Sequence, residues 1–228
     1  MKQSIMIKHH LNDRILMAYS AGRLSEAFNL VVATHISLCD ECRAALGSYD
    51  TIGGVLLENG ILETDDAEAG GRDQASLPDL QATMALIKST VNTPNVAPQM
   101  RSDDTPEPLA AYIGDTLDNI KWKPVGMGVK QSILKTSSEA TARMLFIPSG
   151  VAVPNHGHNG TELTLVLRGA YADEADRFQH GDVEIADEDM QHTPIADAHE
   201  DCICLAVTDA PLKFSGLLPR LIQPLLRI

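Results

Sequence analysis

Gly150-Val-Ala-Val-Pro-Asn-His156-Gly-His158-Asn-Gly-Thr-Glu162-Leu-Thr-Leu-Val-Leu-Arg-Gly169 decides the fold of the second half of this chain. His156 and His158 stand two residues apart, so on a strand both side chains leave the same face. Asn159-Gly160 supplies a turn, and Glu162 follows at the head of the apolar run Leu163-Thr-Leu-Val-Leu167. Two imidazoles and a carboxylate on one side of a hairpin lack one ligand, which a neighbouring strand must provide, and His192 is the available histidine. Such a set suits zinc or another divalent transition metal such as iron, manganese or nickel. The alternative is a hairpin with surface histidines. Working outward, Lys130–Leu134, Ala142–Ile147, Val183–Ile185 and Cys202–Val207 are short runs separated by Gly, Pro or Asp at the interval of an all-β sandwich or barrel. Cys202 and Cys204 alternate on one strand face, as small apolar filling, with oxidation of a thiol near a metal as the other reading.

The first half has helical periodicity. Asn12 is placed to cap a helix carrying Ile15, Leu16 and Tyr19, ended by Gly22. Ser25 opens a second helix with Phe28, Val31, Val32 and His35. Ser37, followed by Asp40 and Glu41, is expected to start a third that runs through Leu46 toward Ile52, Val55 and Leu56. The acidic stretch Glu63–Gly71 reads as a loop, and Leu77, Leu80, Met84 and Ile87 share one further helix face. On a helix, His35, Cys39 and Cys42 at i, i+4 and i+7 fall within about 60° of one another. Two thiolates and an imidazole ask for tetrahedral zinc, with His10 or its neighbour His9 as fourth ligand. Small core cysteines are the bland alternative. A redox pair would need a strand–helix–strand setting that this helical region lacks.

Composition bounds the rest. The 228 residues carry 18 basic and 31 acidic side chains, a formal charge of −13, and 44% apolar residues, enough for a packed core in one or two domains. Asn92–Pro98 and Ser102–Pro108 are polar and proline-rich, which divides the chain into a helical domain over 1–90, a linker over 91–108 and a β domain over 109–228. An acidic chain is a poor direct ligand for nucleic acid. No run approaches the ~18 apolar residues of a membrane span, and the opening MKQSIMIKHHLNDR has no apolar signal core. The expectation is a cytoplasmic protein with a protein partner and no membrane contact.

At this point the motifs resemble known families. His10, 24 residues, His35-x3-Cys39-x2-Cys42 is similar to the motif of zinc-binding anti-sigma factors, and LSEAFNLVVATHISLCDECR over 24–43 resembles the ChrR group, as do DCICLAVTDAPLKF over 201–214 and the tail LPRLIQPLLRI. The family spacing favours His10 over His9. The 150–169 segment resembles the first metal motif of the cupin superfamily. The second motif is looser: Gly181 and His192 are kept, whereas Asp187 and Asp189 stand where proline and glycine are usual and Ala196 where asparagine is usual. The resemblance implies a multidomain, α-then-β chain, with a small zinc-holding helical bundle followed by a jelly-roll-like cupin barrel. It implies Zn2+ at His10, His35, Cys39 and Cys42, and zinc or another divalent metal at His156, His158, Glu162 and His192. It also implies a non-enzymatic anti-sigma role. An alternative sigma factor of the extracytoplasmic-function type would be held, then released when the cupin half meets an oxidative signal, singlet oxygen or organic peroxide. Apolar faces around Leu16, Phe28, Val32, Leu77 and Met84, with seven basic against twelve acidic residues in 1–90, supply partner surface for a basic protein. The competing class is a metal-dependent cupin dioxygenase with an accessory zinc domain.

Overall fold

The computed structural model describes residues 6–58, 85 and 105–214. The expected loop at 63–71, the amphipathic face of Leu77 to Ile87, most of the linker and the C-terminal tail lie outside the described residues. Helix α1 (Asp13–Ser20) is capped by Asn12, whose Oδ1 accepts from the Ile15 N–H at 3.0 Å. Helix α2 (Glu26–Leu38) begins after Ser25, and α3 (Asp40–Glu58) begins two residues later than α2 ends. The third helix therefore does not start at Ser37. That hydroxyl donates to the Thr34 carbonyl at 2.7 Å inside α2, and the break falls at Cys39, whose backbone is extended (φ −111°, ψ 107°).

The expected linker ends earlier than residue 108, and the chain after it is not β from the start. Pro106 precedes a further helix, α4 (Glu107–Ile113), and Pro108 sits in its first turn, where proline's missing N–H costs nothing. Leu109 of this helix is fully buried, and a 3-10 turn at Leu117–Asn119 leads into the strands.

The strands are β1 (Lys123–Gly126), β2 (Val129–Ile133), β3 (Thr141–Ile147), β4 (His156–Gly157), β5 (Glu162–Arg168), β6 (Ala170–Ala172), β7 (Arg177–Gln179), β8 (Val183–Ala186), β9 (Gln191–His192), β10 (Ile195–Ala196), β11 (Cys202–Thr208) and β12 (Lys213–Phe214). They form an antiparallel six-stranded sheet in the order β1-β2-β3-β11-β5-β8 and two three-stranded sheets, β10-β6-β7 and β12-β4-β9. Gly169, at φ +71°, turns β5 into β6, and a Cβ there would come within 2.3 Å of the Asp201 carbonyl oxygen. Only glycine fits that approach.

All seven residues of β11 are buried, because both faces of the large sheet are covered. Alternation sends Cys202 and Cys204 inward, where they meet Val166, Tyr171, Phe178 and Ile147. It sends Ile203, Leu205 and Val207 outward into a second core with Leu163, Leu165, Met144 and the α2 residues Ala27, Val31 and Val32. Helix α2 thus lies on β3, β11 and β5. The chain divides into two compact units, 1–54 with 105–228 and 55–104, so these helices share a unit with the strands. The face offered by Leu16, Phe28 and Val32, expected as partner surface, is buried here at 2%, 8% and 0% exposure. Among the described residues, the large apolar side chains exposed on the helices are Met17, Ile52, Val55, Leu56 and Leu57.

Candidate metal centres

The break at Cys39 builds the first centre. His35 projects from the last turn of α2, Cys39 from the junction and Cys42 from the first turn of α3, while His10 comes from the extended segment before α1. The three were expected on one continuous helix face; they converge through a helix–helix corner instead. His35 Nε2 lies 3.2 Å from Cys42 Sγ, and His10 Nδ1 lies 3.3 Å from Cys39 Sγ and 3.6 Å from Cys42 Sγ. One ligand atom from each of the four residues falls within 4.8 Å of all the others. Zn–N and Zn–S bonds at a tetrahedral angle place N and S about 3.5 Å apart, so the spacing fits the ion. His35 Nδ1 donates to the Gly181 carbonyl at 3.0 Å, which fixes its tautomer and turns the Nε2 lone pair to the thiols. Burial lowers His35 to about 4, keeping it neutral, and pushes Cys42 up to about 12, a thiol that yields its proton to a cation. His9 is committed elsewhere, between Asp176 at 3.1 Å and Asp182 at 3.3 Å.

The second centre lies inside the strands. His156 and His192 sit directly opposite on β4 and β9, with Nε2 atoms 3.2 Å apart, and His158 follows β4 with the same inward direction. The three imidazoles form one group within 4.8 Å. His156 Nδ1 donates to the Pro154 carbonyl at 2.9 Å, and His192 Nδ1 donates to Glu184 Oε1 at 2.9 Å and Asp173 Oδ2 at 3.0 Å. Both Nε2 atoms therefore face the same point. His158 is 2% exposed, yet neither ring nitrogen has a hydrogen-bond partner. Two opposed ring nitrogens and an orphaned imidazole are the arrangement a divalent cation satisfies once His192 gives up its Nε2 proton. Burial lowers both His156 and His158. Burial alone would lower His192 too, but the Glu184 hydrogen bond and charge carry it up to about 9.

Glu162, expected as the fourth ligand, is beside the triad rather than within its cluster. Its Oε2 lies 3.6 Å from His158 Nδ1, and its Oε1 accepts from the Thr164 hydroxyl at 2.9 Å. Glu184 and Asp173, which hold His192, were not singled out from sequence. The signal for Glu184 was present: in Val183-Glu-Ile the alternation points the lone charge inward. Tyr171 Oη donates to its other oxygen at 2.5 Å. A cavity of about 300 Å³ opens beside the imidazoles, walled by Leu145, Ile147, Val153, Leu212 and Phe214, with Arg143 and Glu162 at its polar end. Cys202 and Cys204 lie at the interior with sulfurs 3.8 Å apart; the contact with Cys202 and burial raise Cys204 well above a normal thiol.

Comparison with known proteins places this architecture. The ChrR Cupin-like domain matches residues 112–211. The Anti-sigma-E factor ChrR of Cereibacter sphaeroides is 52% identical over 223 residues, 97% of this chain and 99% of that protein. The crystal structure of Rhodobacter sphaeroides SigE in complex with the anti-sigma ChrR contains a chain 48% identical to this one, with a TM-score of 0.70, covering 89% of this chain and 99% of that one. With helices that bring His10, His35, Cys39 and Cys42 together ahead of a cupin-like β domain, the chain belongs to the ChrR family of anti-sigma factors.

Proposed function

We propose that this chain binds and inhibits a sigma factor of the extracytoplasmic-function type in the cytoplasm, with Zn2+ at His10, His35, Cys39 and Cys42 organising the grip. A divalent metal at the His156, His158 and His192 cluster, with Glu162 beside it, takes part in release on an oxidative signal, singlet oxygen or organic peroxide. The observation that carries the reading is the 52% identity, end to end, with a protein named as an anti-sigma-E factor, alongside 48% identity with a chain crystallised in complex with SigE. Bound zinc would supply a tetrahedral staple; the chain's own contribution is the corner at Cys39 and the Gly181 carbonyl that orients His35. The dioxygenase alternative is set aside by membership of a family of regulators.

The test begins with the full chain as bait in a cell extract, followed by transcription by RNA polymerase with the captured sigma factor. Inhibition by the parent chain and loss of inhibition in Cys42→Ser are expected. Full inhibition by demonstrably zinc-free protein would refute a metal-organised grip.

A further inference from the structure

Four consecutive residues, Gly181 to Glu184, touch both candidate centres. The Gly181 carbonyl accepts from His35 Nδ1 at 3.0 Å. Asp182, fully buried, accepts on Oδ1 from the backbone N–H groups of Lys8 at 2.7 Å and His9 at 3.0 Å, the residues that lead into His10. Val183 N–H donates to the His9 carbonyl at 3.2 Å. Glu184 accepts from His192 Nδ1 at 2.9 Å. Gly181 is pinned in its conformation: φ is +89°, and a Cβ would lie 2.7 Å from Ile7 carbons. Extended residues advance about 3.3 Å each, so the His35 contact and the His192 contact are separated by only about 10 Å of one chain segment.

Resting on the metal reading above, we infer that Gly181–Glu184 is a coupling segment through which occupancy of the triple-histidine centre sets the metal affinity of the His10/His35/Cys39/Cys42 centre. His192 released from a metal is free to shift against Glu184. Displacement of Glu184 along β8 moves Asp182 away from the two N–H groups it holds, and Gly181 away from His35. The thiolate centre then loses the orientation of one ligand and the anchor of another. By linkage the effect is reciprocal: filling the thiolate centre tightens the triple-histidine centre by the same factor. This gives the cupin-like strands a route to the helices that does not pass through the 55–104 segment.

The experiment uses the full chain and Co2+ as probe, because a thiolate-to-cobalt charge-transfer band arises at the cysteine-containing centre and not at the imidazole one. Chelator competition gives the Co2+ affinity of the thiolate centre in the parent, His156→Ala, Asp182→Ala and the double variant. We expect His156→Ala to weaken that centre by about fivefold or more, and to change it by less than about twofold once Asp182 is already Ala. An effect of His156→Ala under about twofold in the parent background, or an undiminished effect in the Asp182→Ala background, overturns the inference. Hydrogen exchange at the Lys8, His9 and Val183 amides gives a reading independent of the Asp182 variant's folding. These amides are expected to exchange faster in His156→Ala than in the parent, and equal rates overturn the coupling. A parent chain without the charge-transfer band would overturn the metal reading as well; a band without coupling overturns the segment's role alone.

Discussion

Leu205→Ala tests the packing of α2 on the large sheet. Leu205 is fully buried at the middle of β11, on the outward face, in the core that includes Val31 and Val32. The substitution removes three carbons from a covered site, which at about 0.8 kcal/mol per methylene is ~2.4 kcal/mol of transfer free energy. A partly relaxed cavity adds to this, giving about 3 kcal/mol in all. With a urea m-value of about 2 kcal/mol/M, the unfolding midpoint should fall by ~1.5 M. The assay is urea unfolding of the full chain followed by far-ultraviolet circular dichroism, with zinc held constant because metal binding shifts the equilibrium. If α2 did not cover the sheet, Leu205 would be a surface side chain and its truncation would cost less than ~1 kcal/mol. A loss that small, with unchanged m-value, would refute the double-covered sheet.

Metal uptake at the triple-histidine centre should release about one proton near pH 7.5, since His192, carried to about 9 by Glu184, must give up its Nε2 proton to coordinate; titration calorimetry in buffers of different ionisation enthalpy reads it, and a buffer-independent heat would contradict it. Without metal, the stability from that imidazolium is fully present below the unfolded value of 6.5 and is lost as pH rises through about 9. Glu162→Ala should weaken metal retention and leave a chain that still represses but does not release under oxidative stress; normal induction by a variant shown to lack the cupin metal would end this account. Truncation after residue 90 should retain sigma-factor binding while baring the α2 face to a hydrophobic dye, and loss of binding would move part of the grip to the β domain.

How much of this was legible depended on whether a contact repeats at a fixed spacing. The strands, the helix starts at Asn12 and Ser25 and the shared direction of His156 and His158 follow from local alternation and turn chemistry, whereas His192 reaches them across the 36 residues that separate it from His156. A helix break was expected at Ser37 and falls two residues later at Cys39; that this corner gathers the ligands was hidden, because i, i+4, i+7 ligands sit as well across a sharp break as along one helix. The packing of α2 on the sheet left a sign that a two-domain reading passes over. Cys202-Ile-Cys-Leu-Ala-Val has no polar face, and an antiparallel strand with one wet side should alternate. An unbroken apolar run says that something covers the second side. The Gly181 carbonyl and Asp173 have no such signature, since their contacts with His35 and His192 span 146 and 19 residues respectively.

All four cysteines are buried, two at the helical corner and two inside the strands, and none forms a disulfide. Alkylation by a small thiol reagent is therefore a record of opening, not of surface exposure. Cys39 and Cys42 label only when the corner parts; Cys202 and Cys204 label only when the strands separate. Mass-spectrometric tallies of the two pairs over time would say which region yields first under an oxidant, without a dye, a tag or a substituted residue.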